Sequence, residues 1–303
     1  MSKIFLPHIA RNVHPTPRLG TFVEGIDATK MSFAVPGQSI GWLANWSVIQ
    51  QEQDFLNMTK LEAAYQLIGD HPHWIQVKNS PPWAQSIEGL PCSPPKREYW
   101  EDFADFVVFI IDWYRPFMVE IWNEPEPKPE EIPTELIGVV GCWGDGTLYG
   151  EFVKYVYNYV KPANPDTIIA GGALMLNSQE CWEFTEDFLK VAEMDVLSFH
   201  SYPIHPWCNY DDPLIKAQNL RKLTNKPLWL TETSYKYAGD EPDEVFEQCQ
   251  ADYLRYVYNE AGRVGIEFVN WYTLANNGWR HTDLVEDGRK KLAWYAFEKL
   301  VKG

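Results

Sequence analysis

Glu124 and Glu232 each end a short apolar run, and two carboxyl groups so placed can divide the work of cleaving a glycosidic bond. One gives a proton to the departing oxygen while the other attacks the anomeric carbon. Phe117 to Trp122 has the β-prone composition of a buried strand. Pro125 stops that strand, because proline has no N–H to donate to a ladder, and so leaves Asn123 and Glu124 at its carboxyl end. Leu228-Trp-Leu-Thr-Glu-Thr-Ser234 repeats the arrangement with Glu232. A lone glutamate at a strand end is ordinarily a rim residue; two of them in Asn-Glu-Pro and Thr-Glu-Thr-Ser contexts argue for a pair.

Such a pair needs a scaffold that brings distant strand ends to one mouth. The chain alternates strand-like and helix-like segments, the pattern of a parallel sheet wrapped in helices. Candidate strands cover residues 20–23, 40–46, 74–77, 117–122, 167–171, 196–201, 227–232 and 266–272. Apolar residues at helical spacing predict helices over Tyr99–Trp113 and Tyr149–Val160, and near 181–192, 213–223, 243–262 and 293–301. Ser47 is expected to cap a helical segment that runs on to include Leu61–Ile68. Eight strands, each followed by a helix, predict a single α/β domain over residues 18–303, a closed (β/α)8 TIM barrel. Residues 1–17, with three prolines, read as a tail. The loop 126–147, rich in Pro, Glu and Gly, is longer than a plain connection needs.

Composition excludes several classes. With 45% apolar and 22% charged residues the chain has ample material for a core. A formal charge of −16, with no basic stripe to offset it, repels phosphate backbones, so nucleic acid is not an expected partner. No apolar run is long enough for a membrane span, and no signal-peptide pattern stands at Met1. The five cysteines (Cys92, Cys142, Cys181, Cys208 and Cys249) show no CxxC pair, which argues against a cysteine zinc site and offers no disulfide framework to read.

Trp122-Asn-Glu-Pro125 resembles the acid/base motif of the clan A glycoside hydrolases. Further likeness lies in Asn45-Trp-Ser47, Pro81-Pro-Trp-Ala84 and Phe199-His-Ser-Tyr-Pro203, and the whole is most similar to family 39 and its uncharacterised neighbours, with family 5 next. The resemblance spans roughly residues 18–303. It implies a retaining β-glycoside hydrolase in which Glu124 is the acid/base, Glu232 the nucleophile and Asn123 the partner of the sugar 2-hydroxyl. Clan A enzymes often place an aromatic hydroxyl after the sixth strand to orient the nucleophile, which suits Tyr202, and an aromatic platform at the end of the eighth, which suits Trp271. Many also carry an arginine near the second strand that supports the nucleophile; Ile40–Trp46 contains none, so that role is unassigned. The opening Ile4–Asn12 resembles a segment of secreted bacterial proteins, which would make the chain a trimmed mature extracellular protein; the alternative is a cytoplasmic enzyme.

Other residues carry alternatives. His200 lies two residues before Tyr202 and so shares its face; it is either a site residue or a hydrogen-bonded rim histidine. Trp83 and Trp42 are sugar platforms or core side chains, and Asn45 meets substrate hydroxyls or caps a turn. A metal held by His200 and His205 lacks an acidic or cysteine ligand at a recognisable spacing, so neither metal nor cofactor is expected. A carbohydrate-binding barrel without catalysis, or a transglycosylase with the same residues, would share most of this pattern.

Overall fold

Eight short runs rich in β-branched, aromatic and aliphatic residues pair side by side until the sheet closes on itself, which removes every open edge. In the computed structural model, which describes residues 18–205, 210–237, 245–275 and 279–303, the strands are β1 (Arg18–Phe22), β2 (Ser39–Asn45), β3 (His73–Lys78), β4 (Met118–Ile121), β5 (Ile168–Leu174), β6 (Val196–Ser201), β7 (Leu228–Thr233) and β8 (Ile266–Tyr272). All pair in parallel in sequence order, and β1 closes the barrel against β8. The expected tail at residues 1–17, Cys208 and the side chain of His205 lie outside the described residues.

Parallel strands need crossovers, and helices provide them. They are α1 (Thr59–Ile68), α2 (Trp100–Tyr114), α3 (Gly146–Val160), α4 (Gln179–Val191), α5 (Asp212–Leu223), α6 (Phe246–Ala261) and α7 (Leu292–Lys302), following β2 to β8 in turn. After β1 there is only the single turn Ala28–Met31. Helix α2 shows why these segments bury one face: Phe103, Phe106, Val107, Ile110 and Tyr114 recur every three or four residues and are all buried. Each such side chain contributes roughly 1.5–3 kcal/mol of burial. No helix among the described residues is long and apolar enough to cross a membrane.

The barrel interior is filled rather than hollow. Phe22, Trp74, Met118, Val196, Trp229 and Phe268 meet across the axis, well below the mouth. Gly41 makes this possible: a Cβ there would lie 2.4 Å from the Trp74 indole, so only glycine lets β2 pass the ring.

Two local expectations need correction. The helix capped after β2 is one turn, Trp46–Ile49, and its cap is Asn45, whose Oδ1 accepts from Ser47 N at 3.1 Å and from Ser47 Oγ at 2.7 Å. The polar stretch 50–58 has no apolar period to continue it, so α1 starts afresh at Thr59. Cys92 and Cys142 form a disulfide, with Cα atoms 5.2 Å apart, that ties the loop after β3 to the loop after β4. Spacing alone could not show it, because the two loops become neighbours only when β3 and β4 pair. Closing a loop of this length restrains the unfolded chain by about 4 kcal/mol.

Candidate active site

Strand alternation alone would point Glu232 the wrong way. Trp229 faces the barrel interior, so a strict period of two would turn Thr231 and Thr233 inward and Glu232 outward. The register shows how this is avoided. Phe199 pairs with Leu230 and His200 with Glu232, while on the other side Val269 pairs with Leu230 and Trp271 with Thr233. Strand β7 therefore carries one extra residue at Thr231 relative to both neighbours, a bulge that re-aims Glu232 into the mouth. The amide of Asn270 on β8 donates to the Thr231 carbonyl at 3.0 Å and pins the bulge.

Glu124 is re-aimed by backbone twist. Met118 and Glu120 face inward along β4, but Trp122 has φ of 71° and packs outward on Phe103, Trp143 and Phe152. Glu124 itself has φ of 45°, and its N–H donates to Ala173 O at 3.1 Å. Non-glycine residues in the left-handed region each cost about 1–3 kcal/mol and gather where a site needs them. The acceptor comes from a second irregularity, in β5, where Gly171 to Leu174 oppose Leu197 to Phe199 with one residue to spare.

These devices bring Glu124, His200 and Glu232 together so that one ligand-capable atom from each lies within 4.8 Å of the others. His200 Nδ1 is 3.0 Å from Glu124 Oε1 and 3.6 Å from Glu232 Oε2. The Tyr202 hydroxyl donates to Glu232 Oε2. Burial works against a charge on His200, but Glu232 and the hydrogen bond to Glu124 outweigh it and push its pKa up to about 9. Burial raises Glu232 to about 7, with His200 pulling it down, the Glu124 charge adding to the rise and Tyr202 opposing it. The two do not shift as a simple ion pair, because on Glu232 the loss of solvent dominates. The structure thus supplies His200 with the carboxylates that its sequence spacing did not show. A protonated His200 would offset one of the two carboxylate charges, through a hydrogen bond to Glu124 and a longer ionic contact to Glu232.

The floor of the site is a polar network. Gln76 Nε2 donates to Glu120 Oε2 at 2.8 Å and to Asn123 Oδ1 at 3.0 Å, and Asn123 Nδ2 donates to Val139 O at 3.0 Å. Asn123 is thus held firmly beside Glu124. Lys78, buried at the end of β3, donates to the same Val139 carbonyl at 2.6 Å. Burial lowers its pKa, while the charges of Glu232, Glu124 and Glu24 hold it up. Lys78 is thus a buried cation near the carboxylates, carried on β3 rather than on Ile40–Trp46. The long loop 126–147, anchored by the disulfide, thereby closes one side of the site. Glu126 is buried too; its Oε1 accepts from Met175 N at 2.5 Å and Leu176 N at 3.2 Å, fixing the loop after β5, and burial pushes its pKa up to about 7.

The aromatic assignments change most. Trp271 is fully buried and faces the helices, with its Nε1 donating to Thr282 O at 2.9 Å and its ring 6.0 Å from that of Tyr253. Opposite the outward Thr233 it cannot also face the mouth, so it is not the platform. Its neighbour Tyr272 lies on the opposite, inward face of β8, which it shares with Phe268. Tyr272, Tyr202 and Trp279 stand mutually edge-on, with centroids 5.0–6.1 Å apart, and Trp279 is 38% exposed. Trp42 is likewise core, against His73 and Tyr114. Trp83 donates to Gln50 O at 3.1 Å and packs on Trp46 and Tyr99, and Asn45 is a helix cap; no contact among the described residues brings either to the carboxylates. Replacing Trp271 by alanine should therefore cost about 3–5 kcal/mol of stability. Tyr272→Ala and Trp279→Ala should instead raise KM, with a smaller loss of stability than Trp271→Ala and the smallest at the half-exposed Trp279. Thermal melts and steady-state kinetics on the three variants would separate the two roles.

Residues 152–289 match the family model of a glycosyl hydrolase catalytic core. That span carries His200, Tyr202, Glu232 and Tyr272 but begins after Glu124. No curated protein matches the chain. Among solved structures, xylanase 10B from Thermotoga petrophila RKU-1, determined with xylobiose, is similar over 95% of this chain and 94% of its own, with 14% identity and a TM-score of 0.66. The GH39 enzyme from Xanthomonas axonopodis pv. citri is similar over 94% of this chain and 66% of its own, at 15% identity and a TM-score of 0.68. An exo-β-1,4-mannosidase from Opitutaceae bacterium strain TAV5 gives 94%, 59%, 13% and 0.67. This chain spans about three fifths to two thirds of the latter two. At these identities the likeness is one of fold.

Proposed function

We propose that the protein is a retaining β-glycoside hydrolase with Glu232 as nucleophile and Glu124 as acid/base. The observation that carries this reading is that one oxygen of Glu124 and one of Glu232 approach to within 4.8 Å, too close to leave a water between them in line with the bond. Retaining pairs stand about 5–5.5 Å apart, whereas inverting pairs leave roughly 6.5–9.5 Å for a water. Glu232, steadied by Tyr202, attacks the anomeric carbon while Glu124 protonates the leaving oxygen; Glu124 then deprotonates the water that frees the sugar. His200, whose pKa is pushed up to about 9, lies 3.0 Å from Glu124 and can pass a proton to it. Asn123, fixed by Gln76 and Val139, lies where a substrate hydroxyl beside the anomeric centre would pass. The printed activities of the structural neighbours, xylanase and β-1,4-mannosidase, make β-linked xylosides and mannosides the first substrates to try. Proton NMR of the first-formed anomer is the test: a β-product supports the reading and an α-product overturns it.

The same geometry sets a pH profile. Dependence of kcat/KM on pH should be bell-shaped, with an acid limb near the value of about 7 at Glu232 and an alkaline limb near the value of about 9 at His200. Both limbs belong to the coupled cluster. His200→Asn should move the alkaline limb to lower pH; an unmoved limb would mean that His200 stores no proton for the acid. Stability should follow with one sign for both groups. Each has a folded pKa raised above its ordinary value (6.5 for His200, 4.5 for Glu232), so each contributes fully below that value and is lost as pH rises through about 9 and 7 respectively.

A further inference from the structure

A cavity of about 430 Å³ opens beside Glu124 and is not lined by Glu232. Its walls come from the ends of β5 and β6, the first turns of α5 and the segment after β7, and they include Asn177, Tyr202, Asp212, Lys216 and Lys236. The group that Glu124 protonates departs on the side of Glu124, so this space receives the leaving portion of the substrate.

The charges around it do not cancel. Lys216 is fully engaged: its Nζ donates to Met175 O at 2.7 Å, Asn177 Oδ1 at 2.9 Å and His200 O at 3.3 Å, and lies 3.2 Å from Asp212 Oδ2. It is a strut that pairs off Asp212. His200 and Glu124 pair with each other. Lys236 differs. Its Nζ lies over the rings of Tyr202 and Trp279, 5.5 and 5.2 Å from their centroids, and among the described residues no carboxylate or carbonyl accepts from it. Ring faces hold an ammonium in place but leave its N–H groups free to donate. Among the cations that line this cavity, Lys216 is paired with Asp212 and Lys236 is not paired with a carboxylate of the described residues.

We propose that this cavity is the leaving-group subsite and that Lys236 selects a leaving sugar carrying a carboxylate, a hexuronate. One ammonium matches one carboxylate, whereas a dianionic phosphate would also face Asp212 and Glu124. The hexuronate carboxylate projects from the ring edge, so it can meet the ammonium while the sugar ring occupies the cavity between Tyr202 and Asn177. Burial lowers the pKa of Lys236, and Arg280 and Lys216 add to the fall while Glu124 and Asp212 oppose it; a bound carboxylate would relieve that cost.

The proposal rests on the hydrolase reading, and its test separates the two. Methyl β-D-glucuronide and its methyl ester have nearly the same shape and differ in charge. As inhibitors of aryl β-glycoside hydrolysis, the acid should bind about 10-fold or more tighter than the ester to the parent protein. Lys236→Met should bring that ratio close to one, and Lys236→Arg should keep most of it. Because the readout is a ratio within each variant, a general loss of activity or affinity does not disturb it. Equal binding of acid and ester to the parent, or a ratio unmoved by Lys236→Met, would overturn the subsite. If no aryl glycoside is hydrolysed, the hydrolase reading fails, and the same ratio measured by calorimetry on the same proteins still decides the subsite.

Discussion

Glu232→Gly should hydrolyse aryl β-glycosides at least roughly 10⁴-fold more slowly than the parent, and added azide should restore turnover. The loss is large because the carboxylate forms the bond on which the second step depends. Its removal leaves a small space beside the anomeric carbon, bounded by Tyr202 and His200, that a small anion can enter. Glu124 and the wall of Tyr272, Tyr202 and Trp279 remain in place. One displacement inverts where two retain, so the rescued product should be the α-glycosyl azide. Activity near that of the parent without azide would remove Glu232 from the nucleophile's role.

Glu124→Ala should show the mirror behaviour. Hydrolysis of substrates with poor leaving groups should fall about 10²–10⁴-fold, the usual worth of a positioned acid, while a dinitrophenyl glycoside should form the glycosyl-enzyme nearly as fast as before. Azide should then intercept that intermediate and give the β-glycosyl azide, because Glu232 still attacks first. Glu124→Gln should also flatten the alkaline limb on an activated substrate. A persistent limb, or an α-azide, would mean that another group is the acid and that the contact between His200 and Glu124 has a different purpose.

Much of this architecture was legible in the sequence because it rests on period and punctuation. All eight barrel strands lie where apolar runs and their stops place them, and Pro125 ends β4 where a ladder would otherwise continue. Glu124 and Glu232 were legible because a strand-end position survives small errors of register. The aromatic platform was not. Choosing between Trp271 and Tyr272 requires knowing which residues point inward, and the bulge at Thr231 shifts that phase by one in the neighbouring strand β7. A bulge of this kind has no glycine or proline to mark it. Trp42 failed for a related reason: an aromatic in a strand reads alike on either face, and only Tyr114 on α2 shows which side it took.

Lys78, Gln76, Lys236 and Trp279 were missed because their roles arise from tertiary contact. Lys78 is four strands from Glu232 in sequence order, and the long loop 126–147 presents the Val139 carbonyl that holds it. Asn45 needed no substrate: an asparagine before a helical turn already has a backbone N–H to satisfy. The Cys92–Cys142 bond became visible only once β3 and β4 were neighbours.

The central claim is that Glu232 becomes covalently bound to the sugar. A dinitrophenyl deoxyfluoro-β-glycoside would test it most directly, since the fluorine slows release of the glycosyl-enzyme more than its formation, and peptide mass spectrometry then locates the label. The account predicts a single fluoroglycosyl adduct on the peptide containing Glu232, absent from Glu232→Gly. An adduct on another carboxylate, or steady turnover of the parent aryl glycoside to an α-product with no adduct at any time, would contradict it.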